Sequence, residues 1–299
     1  MARYHVLHVT RYDYGNLVSL SQQMLHLMPR ACPWQRCLDF HLALDPAPAW
    51  RRRGEDAFGN PVEWLAFHQP HDSLHVRAEM WVDVLPHRPA RLDLGPDRDA
   101  LAARLAYRNA APAAADLAAK RFLFESPHVR IKHELAAYAA DCFVPGESVR
   151  ASARRLMEKI HAEFEFDPEA TTVATPVLEV LRNKRGVCQD FAHLMIACLR
   201  AQGIPARYMS GYLLTEPPPG QPRLVGADAS HAWVSVYAPA GAGEDWVDFD
   251  PTNNLLPDTE HITLAWGRDF SDVSPLRGVI LGGGAHRPHV AVTVTPLVE

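Results

Sequence analysis

Long apolar runs are missing from this 299-residue chain. No window approaches the ~18 consecutive apolar residues that a membrane-spanning helix needs. The opening residues, MARYHVLHVTRYDYG, alternate polar and apolar, so no signal peptide is expected at this end. An excess of basic residues is missing too. Thirty Lys and Arg stand against 35 Asp and Glu, for a formal net charge of -5, which argues against nucleic acid or an anionic membrane as partner. The densest basic run, Arg51-Arg52-Arg53, gives way at once to Gly54-Glu55-Asp56 and reads as a solvated loop. Cysteine is scarce: Cys32, Cys37, Cys142, Cys188 and Cys198 are odd in number and scattered, which is no disulfide framework. Reduced thiols and a cytoplasmic location are the expectation. Cys32, Cys37 and His41 lie close together, but no second pair completes a zinc site, and no EF-hand-like acidic loop appears. Neither a metal nor any other cofactor is expected.

What the chain does have is strand-like alternation at the front and helical periodicity behind it. Residues 3–12 alternate, a second run covers Val18 to Met28, and a third covers Cys37 to Leu44. Asp56-Ala57-Phe58-Gly59-Asn60-Pro61 is turn chemistry, followed by strand-like runs at Val62 to His68 and Leu74 to Leu85. Residues 1–86 therefore read as an all-β domain, a sandwich or half-barrel. Residues 87–145 read as a proline-rich linker and an alanine-rich helical connection divided by Pro112 and Pro127.

Apolar residues at helical spacing predict a helix over 148–164 and another from about Cys188 to Gly203, with a short helix opened by Thr175-Pro176 between them. The period then falls to two, with strands expected at 206–214, 231–237 and 246–249. Helices followed by strands make residues 146–257 an α+β unit. Residues 258–299 read as a tail with a closing strand at Val290 to Val294.

Cys188 stands where an amphipathic helix begins, after Gly186-Val187. The unpaired N–H groups and partial positive charge of a helix N-terminus favour a thiolate and can donate to a developing oxyanion. A free cysteine is otherwise a small buried hydrophobe, the description that suits Cys198. Position alone leaves both readings of Cys188 open.

Three blocks then occur in order: RGVCQDFAHLMIACLRAQGIPARYMSGYL (185–213), ASHAWVSVY (229–237) and DWVDFDPTN (245–253). Together they resemble the core of the transglutaminase-like superfamily, and more narrowly its bacterial branch with an N-terminal β domain. HVTRYDYGNLVSLSQQMLHLMPR, DAFGN and WGRDFSDVSPLRG resemble that branch as well. The resemblance covers nearly the whole chain, with residues 86–145 matching least. It implies a papain-like core with Cys188 as nucleophile, His231 as general base and Asp250 as orienting carboxylate. The chemistry is consistent: an imidazole takes and returns the proton while a carboxylate fixes its tautomer. Asp248 shares a strand face with Asp250 and competes for the acid role, which the resemblance gives to the aspartate before Pro-Thr.

The resemblance implies an acyl-thioester route on a peptide, protein or small amide. Water as acceptor is expected, a primary amine is the alternative, and a non-catalytic binding module is a third possibility. Trp233, Tyr237, Trp246 and Phe249 could wall off solvent, but strand alternation makes them core residues. Asp190 is expected to be structural and paired with Arg207, and His193 to be solvated or structural. His261 could line the cleft without an assigned task.

Overall fold

The computed structural model describes residues 1–299 apart from 90, 108–112, 216–229, 242–244 and 298–299. The expected break at Pro112 lies outside the described residues. The chain is an α+β protein: antiparallel sheets, helices packed on one of them, and an N-terminal sheet region ahead of the core.

The runs expected at 3–12 and 18–28 are one strand, β1 (Ala2–Leu25), whose register with its neighbours breaks between Asp13 and Val18. Tyr4, Val6, His8 and Thr10 alternate into the interior along its first half, as the sequence period requires. That half lies between β5 (His71–Val84) and β13 (Pro288–Leu297). Beyond the break, the second half lies between β4 (Pro61–Phe67) and β12 (Leu276–Gly282). β2 (Gln35–Asp45) extends the sheet beyond β5, and β3 (Trp50–Glu55) extends it beyond β4. One bent strand thus belongs to both halves of a seven-stranded sheet.

Two expectations change here. Arg51-Arg52-Arg53 is not a loop but part of β3, an edge strand. Arg51 and Arg53 both pair with the buried Glu63 of β4, so the charges sit on a strand rather than breaking one. The stretch 258–299 is not a tail. Its first strand, β11 (His261–Gly267), joins a four-stranded sheet of the α+β unit, while β12 and β13 return to the N-terminal sheet. Pairing across some 270 residues leaves no local sign in the sequence.

The connection holds α1 (Arg98–Arg104), α2 (Ala114–Lys120) and α3 (His133–Ala139). α4 (Val149–Glu163) starts at Ser148, whose hydroxyl accepts from Ala151 N–H at 3.1 Å. A short parallel pair, β6 (Glu165–Phe166) and β7 (Arg185–Gly186), brackets α5 (Val177–Asn183). α6 (Cys188–Ala201) is buried from Asp190 to Arg200, so it is the central helix.

Against α6 lies a four-stranded antiparallel sheet in the order β10 (Trp246–Phe249), β9 (Ser230–Tyr237), β8 (Ala206–Leu213), β11. Ala206, Tyr208, Ala232, Val234, Val236, Val247 and Phe249 share one core with the helices. Residues of the opposite parity, Arg207, His231, Trp233 and Asp248, carry the polar and aromatic groups. Tyr212, Ile262 and Leu264 instead join the core of the N-terminal sheet, which ties the two layers together. A four-residue helix, α7 (Phe270–Val273), follows β11.

Candidate active site

Cys188 is the first residue of α6, after the extended Val187. Asp190 makes this start rigid: its Oδ2 accepts from Val187 N–H at 2.9 Å and from the Thr171 hydroxyl at 2.6 Å. Gly186 is required beside it, because a Cβ there would lie 2.7 Å from that same oxygen. Asp190 therefore caps the helix, as expected of a structural residue, but its partner is not Arg207. The Arg207 guanidinium lies 4.2 Å from the Trp246 ring centroid and 3.9 Å from that of Trp266. Burial raises the proton affinity of Asp190, offset by its two hydrogen bonds. The half-buried Cys188 keeps its own N–H and that of Gln189 in the first helical turn, where no carbonyl precedes them.

His231 sits on β9, opposite Gly211 of β8. Gly211 has no room for a side chain: a Cβ would meet Ile262 O at 2.0 Å and the Trp233 ring at 2.7 Å. That close approach seats the Trp233 ring beside the imidazole, with ring centroids 6.2 Å apart. His231 Nε2 donates to Asp250 Oδ2 at 2.7 Å, leaving Nδ1 for the Cys188 thiol, which lies near enough to raise the proton affinity of the ring.

Asp250 follows β10 and is fully buried, yet it is held by five donors. Oδ1 accepts from the N–H groups of Thr252 and Asn253 at 3.0 and 3.2 Å. Oδ2 accepts from His231, from Asn253 Nδ2 at 2.8 Å, and from His261 Nε2 at 3.2 Å. Burial alone would favour a neutral acid, but these bonds hold the carboxyl well below its ordinary range. For His231, burial opposes the charged ring. The hydrogen bond and charge of Asp250, then those of Cys188, outweigh it and push its pKa up to about 10.

Asp248 is separated from Asp250 by contact rather than by periodicity. Its Oδ2 accepts from Trp233 Nε1 at 3.1 Å, so it props the tryptophan instead of facing His231. Trp233, Tyr237 and Phe249 are buried, with the Tyr237 hydroxyl donating to Asp116 at 2.6 Å. His193 is buried rather than solvated: it stacks on His128 and accepts from Phe270 N–H at 3.2 Å, and burial lowers its pKa to about 3.

The structure thus brings Cys188, His231 and Asp250 together and adds His261, Asn253 and the Trp233–Asp248 pair. Sequence reasoning weighed Asp248 for the acid role and Trp233 as a wall or core residue, let His261 line the cleft without a task, and gave Asn253 none. The signal for Asn253 was the Asp-Pro-Thr-Asn turn that folds it back on Asp250. Among the described residues, the donor atoms of His231, Asp250 and His261 all lie within 4.8 Å of one another. The two imidazole–carboxylate contacts in that group are hydrogen bonds.

Family models for the bacterial transglutaminase-like N-terminal region and for the transglutaminase-like superfamily match residues 4–83 and 136–251, respectively. The chain is 40% identical to an uncharacterized Mycobacterium tuberculosis protein over 280 residues, 93% of this chain and 87% of the relative. An uncharacterized protein of Mycobacterium leprae is 30% identical over 99% of this chain and 100% of its own length. A shorter stretch, 36% of this chain and 17% of the relative, is 31% identical to a protein-glutamine gamma-glutamyltransferase of Pseudomonas aeruginosa. A solved structure from Cytophaga hutchinsonii, provisionally named a cysteine protease, superposes with a TM-score of 0.74 at 22% identity. That superposition covers 100% of this chain and 92% of the other, a likeness of fold.

Proposed function

The chain belongs to the transglutaminase-like superfamily, with the bacterial N-terminal region ahead of its core, and from that premise we propose a cysteine-dependent amide hydrolase. Cys188 is the nucleophile, His231 the acid and base, and Asp250 the residue that orients it. The observation that carries the reading is the buried 2.7 Å bond from His231 Nε2 to Asp250, on a ring whose proton affinity the nearby thiol at a helix start also raises.

Asp250 and Cys188 together raise the proton affinity of His231, so the imidazole is set to take and hold the proton that the Cys188 thiol gives up. The thiolate attacks the amide carbon, and the oxyanion forms beside the N–H groups that open α6. As the tetrahedral adduct collapses, His231 gives its proton to the departing nitrogen and a thioester remains. Neutral His231 then takes a proton from water, whose oxygen attacks the thioester. Collapse releases the acid and restores thiolate and imidazolium. The acyl donor is a peptide, protein or small amide.

A primary amine can replace water, and the partial match to a glutamyltransferase keeps that reading alive. Water is favoured because Tyr237 and Phe249, two of the four aromatics that could shield the thioester, are spent in the core, which leaves Trp233 and the half-buried Trp246. The test supplies glutamine-containing peptides and small amides with excess primary amine, and measures ammonia release beside amine incorporation. Hydrolysis predicts ammonia release that does not depend on amine. Incorporation dominating at low millimolar amine would make the protein a transglutaminase.

A further inference from the structure

His261 belongs to β11 and stands outside the Cys188–His231–Asp250 triad; any role it has in catalysis depends on that triad being the active one. Its Nε2 lies 3.2 Å from Asp250 Oδ2, the oxygen that also receives His231, and its ring meets the Trp233 edge at 5.2 Å. It is 1% exposed, and its Nδ1 has no partner among the described residues. A carboxylate oxygen can only accept, so Nε2 carries a proton; a second proton on the buried Nδ1 would meet no acceptor there, which favours the neutral ring in that one tautomer. We infer that His261 is a positioning residue for the triad, an uncharged further donor that fixes the Asp250 carboxylate toward His231.

The other donors to the carboxylate, Asn253 Nδ2 on Oδ2 and the N–H groups of Thr252 and Asn253 on Oδ1, all come from the turn that follows Asp250, whereas His261 reaches Oδ2 from a separate strand. A carboxylate turned away from Nε2 releases the imidazole tautomer that the chemistry needs. A charged donor would compete with His231 for the anion, whereas a neutral one shares it. Burial, the largest influence on His261, keeps it neutral, working against the pull of Asp250. The titratable groups around it are Asp250, His231 and Asp248. Those around Cys188 are His231 and Tyr208, with Asp190 close to the same tyrosine. Of these groups, His231 and His261 meet Asp250 Oδ2, beside the amide of Asn253.

Removing the positive end of this dipole makes the potential at the site more negative. The Asp250 charge then falls more fully on His231, which holds its proton to higher pH, and the pH dependence of alkylation at the Cys188–His231 pair moves up with it. The experiment uses the full chain and compares wild type with His261→Ala and His261→Gln, whose amide N–H can still reach Asp250. Two readouts are the rate of Cys188 alkylation by iodoacetamide as a function of pH, and turnover of an amide that wild type cleaves. His261→Ala is expected to lower kcat at least tenfold with KM within about twofold, and to move the alkylation limb to higher pH. His261→Gln is expected to recover most of both. A merely structural role would give equal losses in both variants with the limb unmoved, and that result overturns the inference. So does an unchanged His261→Ala. Wild-type Cys188 reacting no faster than the buried Cys198 would instead bring down the triad reading itself, and this inference with it.

Discussion

At the residue scale the site depends on which oxygen each donor meets. Asp248 and Asp250 differ little as sequence, but one supports an indole and the other an imidazole. Asp250→Ala should cut turnover by about a hundredfold or more, since an unheld imidazole spends most of its time in the wrong tautomer or orientation. Asp248→Ala should cost well under that, acting through the Trp233 ring. Steady-state kinetics on both variants, with circular dichroism to confirm folding, decides between them; equal losses or the reverse order would move the acid to Asp248. Asp190 shows the opposite balance. A carboxylate near a thiolate opposes its ionisation, yet here it is spent on Val187 N–H and the Thr171 hydroxyl, which fix the helix start.

At the scale of elements the junction of β8, β9 and β11 is the sensitive point. Gly211 is paired with His231 on one side and Thr263 on the other, and any Cβ there collides with backbone as well as with Trp233. Backbone cannot rotate away as a side-chain tip can. Gly211→Ala should therefore destabilise by roughly 2 kcal/mol or more. It should also lower activity more than the stability loss accounts for, because the displaced ring is the one beside His231. A thermal melt and kinetics below the melting temperature test this; a fully active, equally stable variant would show that the two strands part without disturbing the site. α6 works as an element too, its apolar surround holding the Cys188 end in place from below.

Across the whole molecule, the two layers meet at a buried polar contact as well as an apolar one. The Tyr212 hydroxyl of β8 lies 2.9 Å from His8 Nδ1 of β1, and His8 Nε2 lies 2.8 Å from the Thr10 hydroxyl. Burial lowers the pKa of His8 to about 4, of His193 to about 3, and also that of His261. These rings are neutral in the folded state, whereas the unfolded chain takes up protons below about pH 6.5, so their contribution is present above that pH and lost as pH falls toward 4. His231 has the opposite shift and adds stability that is lost as pH rises from about 6.5 toward 10. Urea unfolding as a function of pH should show stability falling below pH 6.5, at no more than about 4 kcal/mol per unit near pH 5. His8→Gln should reduce that slope; an unchanged slope would show that His8 does not contribute.

The α+β class, the helix starting at Cys188 and the strands carrying His231 and Asp250 were legible in the sequence, because each rests on short-range pattern. An apolar period marks a helix or a strand, and three blocks in order mark a chemistry. What lay beyond the sequence depends on contacts between distant segments. Periodicity read β1 as two strands because a bend interrupts the pattern without interrupting the strand. Residues 258–299 read as a tail because their partners lie in β1 and β8. The separation of Asp250 from Asp248, and the place of His261 on the same oxygen as His231, were decided only when antiparallel pairing set β10, β9, β8 and β11 side by side. A side chain's parity is written in the sequence, but the atom it meets is fixed by its neighbours in space.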